Sequence, residues 1–394
     1  NTGSENEVKA SVIIPAYNSK ERLYNSLLSL NQQECDEEFE VIVADNGSED
    51  GTLSMLKSFQ ADFPLIFVRI KENRGIAYGR NQAVRNARGD ILIFHDSDML
   101  AAKDLVAKHI KAHENEENLV VCGLFWKRIY SYYYERFEDE HKKQLAKLYD
   151  EMPKKDKQKL LAEADIKNES FLDQSFDLDT DFIDVLKRIL DEYGDDLKGY
   201  HMPWRFFITN NSSVKRKHVA DLGLFDEGIV RYGFEDYDLG IRLHQAGLTF
   251  RLHRDIVSVH QEHPSNCQSV DDIRANIAYM CDKYNNIQSL DVHLAFNGPF
   301  PPDMTNRIMA DIHKLLDSKK YDMLLHLFLE LLHVVKDRNL DPDWQKKTPR
   351  VTAKSFDLQA VQKLLPKAKK KLGVNDFANA LYALVNDLLH VDLR

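Results

Sequence analysis

Residues 91–98 read Ile91-Leu92-Ile93-Phe94-His95-Asp96-Ser97-Asp98, an apolar run followed by two carboxylates two residues apart. The apolar run predicts a buried strand over 91–95. Because side chains alternate along an extended chain, both carboxylates would lie on one side, roughly 7 Å apart at about 3.3 Å per residue. Hard divalent cations prefer carboxylate oxygens and often share their coordination with phosphates. The stretch therefore points to a metal-bound diphosphate, although an Asp-x-Asp triplet alone is also common in solvated turns.

The segments before residue 91 alternate between strands and helices. Apolar runs predict strands over 11–18, 40–45 and 65–70, and helical spacing predicts helices over 21–32, 51–59 and 76–88. Such alternation builds an α/β fold, a Rossmann-like, mostly parallel sheet with helices on both faces. Ligands of such sheets bind where the strands end, and Tyr17, Asp45 and Asp96 all fall at strand ends.

A second group of acids begins a predicted helix further along the chain. Glu235, Asp236 and Asp238 stand in its first turn, directly after Gly233, and the helix is expected to end at Gly247. Acids in a first turn stabilise the helix dipole by about 0.3 to 1 kcal/mol and need no other role. A catalytic role is the alternative.

Together these motifs resemble family 2 glycosyltransferases of the GT-A fold. The ordered set is Pro15-Ala16-Tyr17-Asn18, Asp45-Asn46-Gly47-Ser48, Asn73-Arg74-Gly75 with Arg80-Asn81, Asp96-Ser97-Asp98, and Glu235-Asp236. The resemblance implies that a nucleotide-sugar donor is bordered by Pro15, Tyr17, Asn18, Asp45, Asn73, Arg80 and Asp96. It also implies that Asp98 binds a metal ion directly, with Asp96 on the ribose or on the metal through water. Asp236 would be the catalytic base, and Glu235 would help to hold the acceptor.

The run Ser258-Val259-His260-Gln261-Glu262-His263-Pro264 closes an apolar segment that begins near Thr249. It resembles the His-Gln-Glu segment of bacterial chondroitin-type polymerases, in which the histidine completes the metal shell. The resemblance implies that His260 is the third protein ligand of a Mn²⁺ or Mg²⁺ ion, and His263 is the weaker candidate.

The expected reaction is an inverting transfer from a nucleotide sugar, in the first place a UDP-sugar. The attacking hydroxyl or thiol must lose a proton, which a carboxylate can accept, and a metal can neutralise charge on the leaving diphosphate. The chondroitin-type segment favours a saccharide acceptor, and an O- or S-linked peptide is the alternative. A sugar nucleotidyltransferase would need a glycine-rich, lysine-bearing loop after the first strand, which is absent. A non-catalytic binding protein would be expected to have lost motif residues.

Composition agrees with this interpretation. The chain has 394 residues, room for about two domains, and its net charge of −10 argues against nucleic acid as a partner. Its four cysteines form no Cys-x-x-Cys pair, and no apolar stretch could span a bilayer. These features indicate a cytoplasmic protein with reduced thiols.

Two domains are expected. A GT-A catalytic domain over 5–295 would be interrupted by a helical insertion at about 130–200, and a helical C-terminal domain would cover 300–394. The insertion would contact the acceptor or serve as surface decoration. The apolar faces of 321–335 and 377–389 would pack against neighbouring helices, or against a second copy in a homodimer.

Overall fold

The computed structural model describes residues 8–231, 233–264, 270–341, 343, 356–391 and 393. Contacts divide the chain into two compact units. The first unit comprises the described residues within 1–198 and 203–269, and the second comprises those within 199–202 and 270–394. The predicted domain bounds, 5–295 and 300–394, stay a prediction.

The first unit is built around one mixed sheet. Its strands are β1 (Ala10–Ala16), β2 (Phe39–Asn46), β3 (Leu65–Ile70), β4 (Ile91–Phe94), β5 (Met99–Ala101), β6 (Leu119–Ile129), β7 (Tyr132–Tyr133), β8 (Gln158–Lys159), β9 (Phe176–Asp177), β10 (Ser212–Lys215) and β11 (Thr249–Gln261), of which β7 and β8 form a separate ladder. Its helices are α1 (Lys20–Leu30), α2 (Thr52–Ser58), α3 (Ile76–Arg85), α4 (Leu105–Ala112), α5 (Asp139–Leu148), α6 (Glu163–Lys167), α7 (Asp181–Tyr193), α8 (Arg216–Asp221) and α9 (Glu235–Gln245).

The order of the main sheet is β3-β2-β1-β4-β10-β6-β11-β5, with β9 paired to β6. The strands β3, β2, β1 and β4 are parallel neighbours, and so are β6 and β11. The strands β10, β5 and β9 each pair antiparallel with a neighbour. The predicted fold class, a mostly parallel α/β sheet with a helical insertion and a helical C-terminal region, is confirmed.

Both faces of the parallel strands are covered, which is why β1 is buried along its whole length. Val12 and Ile14 pack in one core with Leu23 and Leu27 of α1. On a pleated strand Ile13 points the other way, to the face where α3 contacts β1 and β2. Because β1, β2, β3 and β4 run parallel, their carboxyl ends all lie at one edge of the sheet.

The insertion between β6 and β10 is helical, as predicted, with α5, α6 and α7, and it contains short strands as well. Tyr132 and Tyr133 of β7 pair with β8, and β9 extends the main sheet beside β6. Phe137 and Leu145 are buried in an aromatic cluster of the insertion. These strands were not predicted, because two-residue strands carry no periodic signal.

The second unit is a bundle of helices around its own core. Its helices are α10 (Val270–Lys283), α11 (Leu290–Asn297), α12 (Pro302–Ser318), α13 (Asp322–Leu340), α14 (Leu358–Leu372) and α15 (Asn375–Leu389). The apolar faces of α13 and α15, including Phe328 and Phe377, are buried within this core. None of the described helices combines the length and the apolar character that crossing a bilayer requires.

Candidate active site

The turns that follow β1, β2 and β3 are joined by side-chain hydrogen bonds. The backbone N–H of Asn18 donates to Ser48 Oγ at 3.0 Å, and Asn18 Oδ1 accepts from the backbone of Glu49 at 2.9 Å. Asn46 Nδ2 donates to Asn73 Oδ1 at 3.0 Å. The predicted donor residues Asn18 and Asn73 are therefore held at one edge of the sheet.

Glycine is required in the turn after β2. Gly47 has φ +85°, and a Cβ there would lie 2.6 Å from the backbone nitrogen of Asn73. A side chain at this position would push the two turns apart.

Asp45, the acid at the end of β2, is fully buried, and each of its two carboxylate oxygens has a partner. Its Oδ1 accepts from the backbone of Ser48 at 3.0 Å, and its Oδ2 lies 2.6 Å from Arg69 Nη1. Arg69 was not predicted, although it stands opposite Asp45 in the β2–β3 register. At the same strand edge Pro15 is buried, whereas 42% of Tyr17 is exposed. The exposed ring could stack on a nucleobase.

Arg80 lies fully buried between two acids from distant parts of the chain. Its Nη2 donates to Asp96 Oδ1 at 3.0 Å, and its Nη1 donates to Glu235 Oε1 at 2.9 Å. The guanidinium also lies over the ring of Phe225, 4.9 Å from its centroid. Burial raises the pKa of Asp96 to about 7, although Arg80 opposes the rise. Arg80 therefore ties the Asp-Ser-Asp triplet to the start of α9.

Two histidines of the chain segment 260–263 lie beside Asp98. The antiparallel pairing of β5 and β11 sets His260 opposite Met99, and the backbone of Gln261 donates to Asp98 O at 2.8 Å. Asp98 Oδ2 is 3.7 Å from His260 Nε2 and 3.0 Å from His263 Nε2. His263, the weaker candidate from sequence, is thus the nearer of the two.

The atoms of this cluster fit a divalent cation. One oxygen of Asp98 and one ring nitrogen from each of His260 and His263 all lie within 4.8 Å of one another. A carboxylate with imidazoles is a donor set that Mn²⁺ accepts. Burial would raise the pKa of Asp98, but His260 and His263 together hold it well below its usual range. Asp98 therefore stays ionised, as a metal ligand must be.

Asp236 and Asp238, both in the first turn of α9, have different surroundings. Asp238 is fully buried and accepts from Arg242 Nη2 at 2.6 Å, so its charge is neutralised within the helix. Asp236 Oδ1 accepts from the backbone of Tyr237 at 2.7 Å. Burial first, and then the charge of Glu235, raise the pKa of Asp236 to about 8. A carboxyl group with a pKa near neutral pH can exchange a proton with a substrate.

The structure thus brings the predicted residues into three groups. Tyr17, Asn18, Asp45 and Asn73 lie at the ends of the parallel strands; Arg80, Asp96, Glu235 and Asp236 surround the start of α9; and Asp98 lies with His260. Residues 96 and 98 connect the last two groups along the chain. Residues missed from sequence are Arg69, which pairs with Asp45, and Arg128, which lies 2.9 Å from Glu262.

This chain is similar to known glycosyltransferases. The model of the family described as "Glycosyl transferase family 2" matches residues 11–173. The uncharacterized glycosyltransferase YfnE of Bacillus subtilis (strain 168) is 93% identical over 387 residues, which cover 98% of this chain and 99% of the relative. A validoxylamine A glucosyltransferase of Streptomyces hygroscopicus subsp. limoneus is 29% identical, over 64% of this chain and 51% of its own length.

More distant similarities include a larger protein and a solved structure. The chondroitin synthase of Pasteurella multocida (strain Pm70) is 24% identical over 66% of this chain, which is 25% of its own length. The solved structure of S. aureus TarS 1–349 in complex with UDP has a TM-score of 0.45 and 16% identity, and the match covers 96% of this chain and 92% of that one. The resemblance deduced from the sequence motifs is confirmed: this chain belongs to glycosyl transferase family 2.

Proposed function

We propose that this protein is a metal-dependent, inverting glycosyltransferase that moves a sugar from a UDP-sugar to a saccharide acceptor. The observation that carries the proposal is Arg80. It bonds Asp96 of the Asp-Ser-Asp triplet and Glu235 beside the candidate base, and thereby holds the metal acids and the base in one site.

The donor nucleoside binds at the ends of β1 and β2. The exposed ring of Tyr17 offers a face on which a base can stack. Asp45 is fully buried in this structure, so its carboxylate would accept from the N3–H of uracil once the turn around it opens. Cytosine has an acceptor at that position, so Asp45 favours uracil. Arg69 fixes the orientation of Asp45 through the 2.6 Å contact.

The donor diphosphate would lie beside Asp98, and Asp98 with His260 would hold the metal ion. When bound, the ion supplies Lewis-acid neutralisation of the charge that grows on the leaving diphosphate. Asp96 is held by Arg80, and it would contact the donor ribose, or the metal ion through water.

Asp236 serves as the base. An acceptor hydroxyl attacks the anomeric carbon, the bond from that carbon to the diphosphate oxygen breaks, and the hydroxyl proton passes to Asp236. One in-line displacement inverts the anomeric configuration without a covalent intermediate. Glu235 is oriented by Arg80 through one carboxylate oxygen, and it helps to position the acceptor.

A screen of nucleotide sugars tests the proposal. The purified chain is incubated with UDP-, GDP- and ADP-sugars, with Mn²⁺ or with a chelator, and release of nucleoside diphosphate is measured. Addition of oligosaccharides or of hydroxyl- and thiol-bearing peptides then identifies the acceptor class. We expect Mn²⁺-dependent UDP release that saccharides accelerate. Release that is equally fast with the chelator would contradict metal dependence, and acceleration by peptides alone would move the acceptor to the peptide class.

A further inference from the structure

The segment His260–His263 places two imidazole rings against the same carboxylate oxygen. Nε2 of His263 lies 3.0 Å from Asp98 Oδ2, and Nε2 of His260 lies 3.7 Å from it. All three side chains are about one-fifth exposed. The two rings are 5.4 Å apart between centroids. Both rings therefore turn the same nitrogen towards one point.

The other nitrogen of His263 fixes its tautomer. Nδ1 lies 3.0 Å from the carbonyl oxygen of Pro264, and a carbonyl can only accept a hydrogen bond. Nδ1 therefore carries the hydrogen, and Nε2 of the neutral ring presents a lone pair to Asp98. Two lone pairs 3.0 Å apart repel each other unless a positive charge lies between them or on the ring. A metal ion supplies that charge, and so does a proton.

Glu262 acts on His260 through its charge rather than through a hydrogen bond. Nδ1 of His260 lies 3.4 Å from Glu262 Oε1 without the alignment of a hydrogen bond, and the negative oxygen favours the tautomer that carries its hydrogen on Nδ1. Glu262 is itself held, because Oε1 lies 2.9 Å from Arg128 Nε and its backbone N–H donates to Ile129 O at 2.8 Å. Nε2 of His260 is then left with its lone pair towards Asp98.

We propose that the metal site takes two imidazole ligands, Nε2 of both His260 and His263, beside the carboxylate of Asp98, and that Glu262 is the positioning residue of His260. Imidazole nitrogen suits Mn²⁺ better than Mg²⁺, which prefers an all-oxygen shell. The site therefore selects Mn²⁺ over Mg²⁺. This inference rests on the proposed function for the use of the metal, but not for its binding.

Metal binding to the full chain tests the inference without any turnover. Free Mn²⁺ is counted by electron paramagnetic resonance during a titration at pH 7.5, without and with UDP, and Mg²⁺ is then added as a competitor. Pulsed spectra of the bound ion report the ¹⁴N nuclei that coordinate it. For the wild-type protein we expect combination lines from two nitrogens and little displacement by equimolar Mg²⁺. The spectrum of one nitrogen, or equal competition by Mg²⁺, would overturn the two-histidine site.

Variants separate the roles of the individual side chains. His260→Ala and His263→Ala should each raise the Kd for Mn²⁺ at least tenfold and leave signals from one nitrogen. Glu262→Gln should raise the Kd about 10- to 100-fold, the usual effect of removing a partner that orients a metal ligand. The matched control is His253→Ala, on the same strand and next to Asp255, which should bind Mn²⁺ like the wild type.

These outcomes test the metal site and the proposed function separately. A wild-type Kd in His263→Ala would remove that residue from the shell, and a wild-type Kd in Glu262→Gln would reduce Glu262 to a partner of Arg128. The wild-type spectrum decides the number of nitrogens even if a variant does not fold. A protein that binds Mn²⁺ through two nitrogens and releases no nucleotide from any nucleotide sugar would refute the proposed function and leave the metal site standing.

Discussion

Replacing Asp236 with asparagine removes the carboxylate that we assign as the base and changes little else. Asparagine keeps the size of the side chain, and its oxygen can accept the same bond from the backbone of Tyr237. A positioned general base contributes about 10²- to 10⁴-fold to a rate. At about 1.36 kcal/mol per decade, the loss corresponds to roughly 3 to 5 kcal/mol of transition-state stabilisation. Donor and metal binding should be unchanged.

The pH dependence of the reaction rate gives a second test of Asp236 as the base. Burial and the neighbouring Glu235 raise the pKa of Asp236 to about 8, and a base acts only when it is deprotonated. The kcat/KM of the wild type should therefore rise with pH up to about 8 and then level off. Asp236→Asn should lack this rise.

At high pH the stability of the Asp236→Asn variant should equal or exceed that of the wild type, whereas the loss of a structural contact would lower it. The folded chain binds the Asp236 proton more tightly than the unfolded chain, in which the pKa of aspartate is about 3.9. The contribution of Asp236 to the free energy of unfolding therefore falls as pH rises from about 4 to about 8. Asparagine carries no charge, so at pH 9 the variant should melt at the same temperature as the wild type or higher.

The assay measures UDP release per folded molecule, calorimetric binding of UDP with Mn²⁺, and the melting temperature at pH 6 and pH 9. Asp238→Asn is the matched control, because Asp238 lies in the same turn and is neutralised by Arg242. That control should lower the melting temperature and largely keep the rate of the folded protein. The reasoning is refuted if Asp236→Asn keeps the wild-type rate and loses stability instead, since a carboxylate that only stabilises the helix would behave in that way.

Three further predictions concern the neighbouring groups. Asp98→Ala should abolish metal-dependent transfer and the Mn²⁺-dependent part of UDP affinity, and calorimetry that finds this part intact would exclude Asp98 as a ligand. Asp45→Ala should raise the Kd for UDP about 10- to 100-fold, through the loss of a charged hydrogen bond of about 1.5 to 3 kcal/mol, with a smaller effect on turnover of bound donor. Arg80→Met should lower the free energy of unfolding by about 3 to 5 kcal/mol in a urea titration, because the buried carboxylate of Glu235 and the partly buried carboxylate of Asp96 lose their partner. The exposed pair of Arg85 on the same helix is its control: Arg85→Met should cost less than about 1 kcal/mol, and equal losses in the two variants would argue against the bridging role of Arg80.

The first half of the sheet could be predicted from the sequence because its signals are local. Buried parallel strands give short apolar runs, and turns with glycine and asparagine separate them from the helices. The strands predicted over 40–45 and 65–70 are observed as β2 and β3, with ends that differ by no more than one residue. The helix predicted over 76–88 ends at Arg85.

The second half depends on contacts between distant residues, which no local pattern reveals. The three-residue strand β5 was missed, although its pairing with β11 is what carries His260 to Asp98. The insertion of β10 antiparallel between β4 and β6 was not predicted either. Pairing of this kind is selected by packing on both faces of the sheet rather than by the strand's own residues.

The candidate site, like the sheet, could be predicted from the sequence only in part. The strand-end position of Asp45 and the helix-start position of Asp236 follow from periodicity, and their proposed roles follow from the family resemblance. The burial of Arg80 between Asp96 and Glu235 could not be deduced, because the acids lie 16 and 155 residues away along the chain. Nor could the closer approach of His263 to Asp98, since it depends on the path of the chain after β11 ends.

The most direct test of the account follows the anomeric carbon itself. Proton NMR records the first minutes of the reaction of UDP-α-D-glucose, or of the UDP-sugar that the screen selects, with water or with the identified acceptor. Parallel reactions contain a low level of Mn²⁺, Mg²⁺, or a chelator. The account predicts that the first product carries the β configuration, before mutarotation, and that chelation stops its formation. An α-configured first product, or product formed at an unchanged rate in the chelator, would contradict the claim that this chain is a metal-dependent, inverting glycosyltransferase.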